Sequence, residues 1–384
     1  MRIFRAERLD FVPRLAALYA GIFLFSGIQM PFFPVWLKAK GLDAGAIGVI
    51  IALPMLARLL AVPVVSREAD RRDALRGALM LVAWASVLAF ALVGLANGAL
   101  LIFIVYAVAS VAYAPVMPLT DAYALKGLAE RGRAYGPVRL WGSVAFIVGN
   151  FAAGFAADII PARDLIWPMT AALALVALVT LSLAPQSVGK AHASGSPRPL
   201  WRDRGFFAVL AAAGLIQASH AVYYGFSALQ WRGEGLSGGM IAGLWALGVL
   251  VEIVLFAVSG KLGLSPTALL LIGAGGAVLR WSGMAANPPA LALPFLQMLH
   301  ALSFGATHLG ALTYVAQRAG GGQAATAQGQ LAIALSAAMA ASTALSGVLY
   351  ARFGAASYAA MSLAAIAGGA CALVAHRRGA IAVV

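Results

Sequence analysis

Residues 41–56 read GLDAGAIGVIIALPML, and residues 235–250 read GLSGGMIAGLWALGVL. The two align without a gap, sharing G-L-x-x-G-x-I, then A-L, then a final leucine. Apolar helices can share that much by chance, so position has to decide whether this is a repeat. Each stretch opens the second apolar run of its half of the chain, and that points to a fold built twice.

The solvent of those runs follows from composition. Of 384 residues 62% are hydrophobic and only 10% charged, where a soluble domain carries about 25% charged residues. The apolar runs recur at about 20 residues, and a helix of that length crosses a hydrocarbon core of roughly 30 Å. We read twelve: roughly 12–36, 44–66, 75–94, 99–125, 137–157, 165–184, 206–230, 238–259, 266–285, 290–316, 328–350 and 355–376. The fold class is therefore an all-α membrane protein. Arg2, Arg5, Arg8 and Arg14 ahead of the first run resemble the start of a signal peptide. The apolar stretch continues to Leu37, longer than a signal core, and reads as an uncleaved helix.

A net charge of +14 raises the question of a nucleic-acid partner. The distribution of the charge answers it. Alternate loops and both tails carry most of the 27 Lys and Arg, while the opposite loops hold only Lys38, Lys40, Arg163, Arg232 and Arg352. This asymmetry expects both termini in the cytoplasm, with the basic surface a contact for anionic lipid rather than nucleic acid. After six runs comes PQSVGKAHASGSPRPLWRDRG at 185–205, rich in Ser, Gly, Pro and basic residues, which reads as a linker. The expected organisation is a six-helix half at 1–184, a cytoplasmic linker at 185–205 and a second six-helix half at 206–384. Parallel repeats of six helices are the plan of a major facilitator superfamily transporter, whose solute site lies between the halves.

Five charged residues fall inside the runs: Arg58, Asp121, Arg139, Glu252 and Arg280. A charge in the membrane is costly and marks a functional site by default. Asp121 lies nine residues before Glu130 and Arg139 nine after it, so a hairpin turning at Glu130 brings them to similar depth, where they can pair. The competing reading has both reaching for the cytoplasmic surface. Arg58 and Glu252 occupy equivalent positions in the aligned repeat, one half supplying a cation and the other an anion. Glu252, in LWALGVLVEIVLF, has apolar neighbours that make a protonated form accessible near neutral pH; the alternative is a permanently ionised salt-bridge partner. Arg280 lies nearer the outer end of its run, where snorkelling competes with a site role. Helix 7, QASHAVYYGFSALQW, adds Gln217, His220, Tyr223 and Tyr224; helix 10, QMLHALSFGATHLGAL, adds Gln297, His300 and His308. A single intramembrane histidine is often a packing residue, but three in one half suggest a polar path.

Other chemistries lack their parts. The sequence has no His-Glu-x-x-His, no Cys/His metal spacing and no Walker loop, and GAGGAVLR at 273–280 has no preceding strand. The single cysteine, Cys371, excludes an intramolecular disulfide. No cofactor or metal is expected. An intramembrane enzyme would need a nucleophile with a base or metal, and a receptor a larger extramembrane segment.

PFFPVWLKAKGL, PLTDAYA, YGPVRLWGSVAFIVGN, SHAVYYGFSALQW, LWALGVLVEIVLF and LHALSFGATHLGAL closely resemble the 3-phenylpropionate transporter branch of the major facilitator superfamily, over about residues 15–375. Wider relatives include lactose permease and nucleoside:proton symporters. The resemblance implies twelve helices and secondary transport in the plasma membrane, the inner membrane of a bacterium, by a monomer. It sets Asp121 and Arg139 where lactose permease has its sugar-binding acid and arginine, Glu252 on the helix 8 glutamate, Arg280 on the helix 9 arginine, and His300 or His308 near the helix 10 histidine. Lactose permease also has a glutamate three residues after that histidine, whereas Ser303 follows His300 here and Ala311 follows His308. That departure moves the expected proton site to Glu252, with His300 and His308 beside it. SREADRR at 66–72 partly keeps the superfamily's signature between helices 2 and 3, with Asp70, Arg71 and Arg72 as structural charges alongside Arg58.

The expectation is a proton-coupled importer of a small organic solute, first an aromatic monocarboxylate. Asp121, Arg139, His220, Tyr223, Tyr224, Arg280, Gln297 and His300 are expected at the solute. Three arginines against two carboxylates favour an anion. The alternative is a neutral sugar or nucleoside, whose hydroxyls Asp121 would accept.

Overall fold

The computed structural model describes residues 2–184, 203–259, 261, 263–318 and 324–381. Among them there is no strand. The helices are α1 (Arg2–Ala39), α2 (Ala44–Arg71), α3 (Leu75–Leu95), α4 (Ala99–Ala129), α5 (Tyr135–Ile159), α6 (Ala162–Leu181), α7 (Arg204–Gly233), α8 (Gly238–Ser259), α9 (Pro266–Ala285), α10 (Ala290–Arg318), α11 (Ala324–Phe353) and α12 (Tyr358–Ile381). Eleven stretches among the described residues are long and apolar enough to cross a membrane. The last of these, 52 residues, is the pair α11 and α12 joined at Gly354–Ser357. The proposed linker falls mostly on 185–202, outside the described residues.

The sequence repeat has a backbone cause. Gly41 and Gly235 both sit in the left-handed region, at φ +86° and +91°, where a side chain would be strained. Each ends a helix in the same way: Leu42 N–H bonds Leu37 O at 3.2 Å, and Leu236 N–H bonds Trp231 O at 2.9 Å. Each is followed by an N-cap, Asp43 accepting from Ala46 N–H at 2.8 Å and Ser237 accepting from Met240 N–H at 3.2 Å. The G-L-[DS] motif is thus a helix stop followed at once by a helix start, used twice.

The described residues form two compact units, Met1–Ala191 with Trp231–Gly243, and His192–Gln230 with Leu244–Val384. In the first, α1 packs along α5 and α6, and α3 lies against α4 and α6. A methyl group on Gly27 would run into Phe146 O, and one on Gly149 would lie 2.5 Å from Leu24 O, so glycine sets how closely α1 and α5 approach. Leu15, Leu18, Ile22, Leu79, Leu119 and Val138 fill the core beneath them. The last carbonyls of α6 are capped by its neighbours: Arg14 bonds Ser182 O at 2.8 Å, Arg76 bonds Leu181 O at 3.1 Å, and Tyr123 bonds Ala184 O at 2.9 Å. Residues 231–243 join this unit because α5 meets the first turn of α8. Gly154 and Gly238 pack backbone to backbone, and Asp158 accepts from Gly238 N–H at 2.8 Å and Gly239 N–H at 3.2 Å.

In the second unit α7 packs on α11 and α12, and α9 on α10 and α12. Its core holds Phe206, Val209, Leu270, Val315 and Leu331. Asp203 caps α7, accepting from Gly205 N–H at 2.9 Å, and pairs with Arg318 at 2.8 Å. Burial works against the charged form of Asp203, but the Arg318 bond and the N–H groups of Phe206 and Gly205 outweigh it and hold the carboxyl below the usual carboxylate range.

Three helices are wound irregularly. α4 breaks at Ala114–Pro115, where proline has no N–H to give. α7 breaks between Ala218 and Ala221, and α10 carries a π turn at Ala301–Ala306. Irregular turns inside membrane helices free backbone groups that must be satisfied locally, and they gather at binding sites. In α7 that is done by side chains: Ser219 Oγ donates to Ile216 O at 2.6 Å, and His220 Nδ1 bonds Gln217 O at 3.1 Å.

Several helix ends differ from the sequence reading, α1 beginning at Arg2 rather than near 12 and α12 reaching Ile381 rather than 376; two others are set by charge. α2 continues to Arg71 rather than stopping near 66, so SREADRR is mostly helix. Its charges carry it outward: Glu68 pairs with Arg72 one turn on and with Arg71 at 3.8 Å. α7 starts at Arg204, inside the proposed linker, because Asp203 caps it.

Candidate solute and proton site

In the first unit Asp121, on α4, accepts two phenol hydroxyls on the same oxygen. Tyr19 of α1 donates to Oδ1 at 2.6 Å and Tyr135 of α5 donates at 2.9 Å. Hydrogen bonds to an ionised acceptor are the strong ones. Arg139 does not pair with Asp121. Its guanidinium lies over the Phe23 ring at 3.9 Å from the centroid and over Tyr19 at 5.6 Å. The expected ion pair is therefore corrected: α1 supplies both the hydroxyl that reaches Asp121 and the rings that hold Arg139. Gly142 makes the stack possible, since a methyl group there would meet Phe23 Cδ2 at 2.8 Å and Arg139 Nη1 at 2.9 Å. Arg58, on α2, is exposed, as are Asp70 and Arg71.

The second unit assembles the other sequence-predicted residues around Arg280, which is fully buried. That position sets aside the reading of Arg280 as a surface-seeking side chain. Its Nη2 donates to Gln297 Oε1 at 2.6 Å, and its Nη1 donates to His300 Nδ1 at 2.9 Å and Ser303 Oγ at 3.3 Å. The guanidinium also lies over Tyr223 at 4.5 Å and Trp281 at 4.6 Å. None of these partners is a carboxylate.

Arginine can only donate, so the tautomers follow. His300 Nδ1 accepts from Arg280, which leaves the ring proton on Nε2, the nitrogen 3.3 Å from Glu252 Oε2. His220 Nδ1 faces the Gln217 carbonyl and must donate, so its Nε2 accepts from the Ser303 hydroxyl at 3.1 Å. Two ordered chains leave one cation: Arg280 to His300 to Glu252, and Arg280 to Ser303 to His220. Two buried donors remain over, Arg280 Nε and Gln297 Nε2, with no acceptor among the described residues. Donors in excess around a buried cation leave the site short of an acceptor.

Rings enclose this cluster. Tyr223 stacks on Trp245 at 4.6 Å, Tyr224 stacks on His220 at 5.6 Å, and Trp281 stacks on Tyr358 at 5.7 Å. Gly248 lets α8 lie against His300, whose Cβ would be 3.2 Å from an added methyl group. Gln217 donates to Phe304 O at 3.3 Å. His308 lies farther along α10 beside Phe304, with ring centroids 5.8 Å apart. Sequence reasoning missed Tyr19, Tyr135, Phe23, Trp245 and Trp281. Tyr19 and Phe23 lie a hundred residues or so from Asp121 with no motif to link them. It noted Ser303 only as a departure from a relative, whereas Ser303 is where the second chain branches.

A family model described as the MFS_1 like family matches residues 13–360. The chain is similar to the probable 3-phenylpropionic acid transporter of Escherichia coli (strain K12), 34% identical over 362 residues that cover 92% of this chain and 94% of the relative. It is 29% identical to the maltose permease of Geobacillus stearothermophilus over 280 residues, 71% of this chain and 70% of that one. Among solved structures it is similar to the nucleoside transporter NupG, with a TM-score of 0.81 at 15% identity over 95% of this chain and 98% of that chain. A bacterial homolog of the human lysosomal transporter Spinster gives a TM-score of 0.76 at 13% identity over 97% of each. At such identities the solved structures speak for the fold alone.

Proposed function

The chain belongs to the MFS_1-like family of membrane transporters, and we propose that it imports an aromatic monocarboxylate together with a proton. The observation that carries this reading is Arg280, a buried cation with neutral partners, surplus donors and a wall of rings. A solute carboxylate supplies the missing acceptor, and a planar ring suits the surrounding aromatic faces. A relative of this chain is named for 3-phenylpropionic acid, which has both features. In this reading Glu252 carries the proton. Ionised, it draws on Arg280 through His300; neutral, it releases that pull and Arg280 turns to the solute. The chain then works as a monomer in a bacterial inner membrane, both termini cytoplasmic.

One observation favours a neutral solute instead. Asp121 accepts on Oδ1 only, leaving Oδ2 for the hydroxyl of a sugar or nucleoside. Voltage separates the two readings. One proton with one monocarboxylate moves no net charge, so uptake into proteoliposomes follows a pH gradient and ignores membrane potential. One proton with a neutral solute gains about 2.3 kcal/mol per 100 mV. Voltage-driven uptake without a pH gradient would overturn the carboxylate. In either case Glu252→Gln is expected to keep solute exchange and lose pH-driven accumulation.

A further inference from the structure

Glu252 faces two histidines of α10 that are not equivalent as bases. His300 is committed on both nitrogens, Nδ1 accepting from Arg280 at 2.9 Å and Nε2 carrying the proton that points at Glu252 Oε2. It has no lone pair with which to take a proton from Glu252. His308 makes no hydrogen bond through either nitrogen among the described residues. It lies on the same face of α10: the rings of His300, Phe304 and His308 form one parallel row, with centroids 5.2 and 5.8 Å apart and planes within 16° and 13°.

Between the two histidines α10 has Gly305. A methyl group there would meet Glu252 Cγ at 3.2 Å and Leu255 Cδ2 at 3.0 Å, so the glutamate stem rests in the notch that the glycine leaves. From that notch the carboxyl lies 3.3 Å from His300 Nε2 and within electrostatic reach of His308. The other groups facing it are Arg280, behind His300, and Tyr224 of α7.

Building on the proposed role of Glu252 in coupling, we propose that His308 is the base that takes the proton from Glu252, the carboxyl swinging across Gly305 to reach it. The O–H bond of neutral Glu252 breaks and an N–H bond forms on an open nitrogen of His308, giving a carboxylate and an imidazolium. The imidazolium passes its extra proton to water toward the C-terminal end of α10, the end expected to face the cytoplasm. Glu252, ionised again, returns to the Nε2–H of His300.

The test needs no solute. The purified full chain is taken through a pH jump while infrared absorption follows the Glu252 carboxyl, identified by its loss in Glu252→Gln. His308→Gln is expected to slow deprotonation about a hundredfold, the scale of losing a positioned base, with the same final extent. Gly305→Ala, which keeps both histidines and fills the notch, is expected to slow it as well. Deprotonation at the parent rate in either variant that folds would overturn the proposal, as would a Glu252 that never shows a neutral carboxyl. A slow phase in both variants together with no uptake of 3-phenylpropionate would remove the solute assignment and leave the proton step standing.

Discussion

The two units treat membrane-embedded charge in opposite ways. In the first, the anion and the cation are kept apart, each satisfied by neutral groups: Asp121 by two tyrosine hydroxyls, Arg139 by the Phe23 and Tyr19 rings. In the second, Arg280 and Glu252 are joined in series through the fixed tautomer of His300. Separate satisfaction leaves the two charges linked only by the Tyr19 side chain they share. Serial connection makes a change of charge at one end felt at the other, and the low dielectric of a buried network strengthens that effect. The first arrangement suits a fixed polar surface, the second a switch.

The largest consequence concerns solute affinity. Losing charge-assisted hydrogen bonds of about 1.5–3 kcal/mol predicts that Arg280→Gln weakens equilibrium binding of 3-phenylpropionate roughly tenfold to a hundredfold or more. Arg139→Gln, which removes a cation held by rings, is expected to cost less than about tenfold. Equal losses in a binding titration would erase the contrast between the units.

Thermal melting of single and double variants sharpens it at the next scale. The cycle built from Glu252→Gln and His300→Asn is expected to show an interaction energy of about 0.5–3 kcal/mol, as for groups in one network. The cycle from Asp121→Asn and Arg139→Gln is expected to show a smaller interaction energy, because no ion pair joins them and Tyr19 is the partner they share. Coupling in the second cycle as large as in the first would mean that the two do form a unit.

The smallest effect tests a charge outside both clusters. Asp203→Asn weakens the α7 cap and its bond to Arg318, by about 1 kcal/mol. The folded carboxyl titrates below its unfolded value, so this stabilisation is fully present above the unfolded pKa of about 3.9 and is lost as pH falls through the folded pKa. The gap in melting temperature between parent and variant is expected to hold near neutrality and narrow on acidification. A gap that does not change with pH would assign the cap to shape rather than charge.

What could be read from the sequence was local or periodic. Gly41-Leu42 and Gly235-Leu236 betray the repeat because a left-handed residue leaves few choices of side chain, and so the pattern survives in the letters. Position along the helices is also legible, since it needs only residue counts, and Asp121 and Arg139 do both meet Tyr19. Direction around the helix axis is not. Which way Arg139 turns is decided by Phe23 and by the space at Gly142, and nothing near position 139 records either. The gathering of Gln297, His300 and Ser303 on Arg280 depends likewise on the winding of α10, and a π turn has no signature in ALSFGA.

That turn also has a bearing on descent. A π turn accommodates one residue more than the ordinary helix around it, so α10 behaves as an α-helix that has absorbed an insertion. Deleting Leu302 would restore regular winding and leave the later side chains in place, because the π turn is what takes up the extra residue. Thr307 and Gly310 would keep their seats against Gly273 and Pro266, and the change would fall on the turn that carries Ser303. A relative lacking that residue is comparable with this chain beyond 302 once one gap is placed within 301–306. In the alignment of such a pair, a single gap would separate carriers with the π turn from carriers with an unbroken tenth helix.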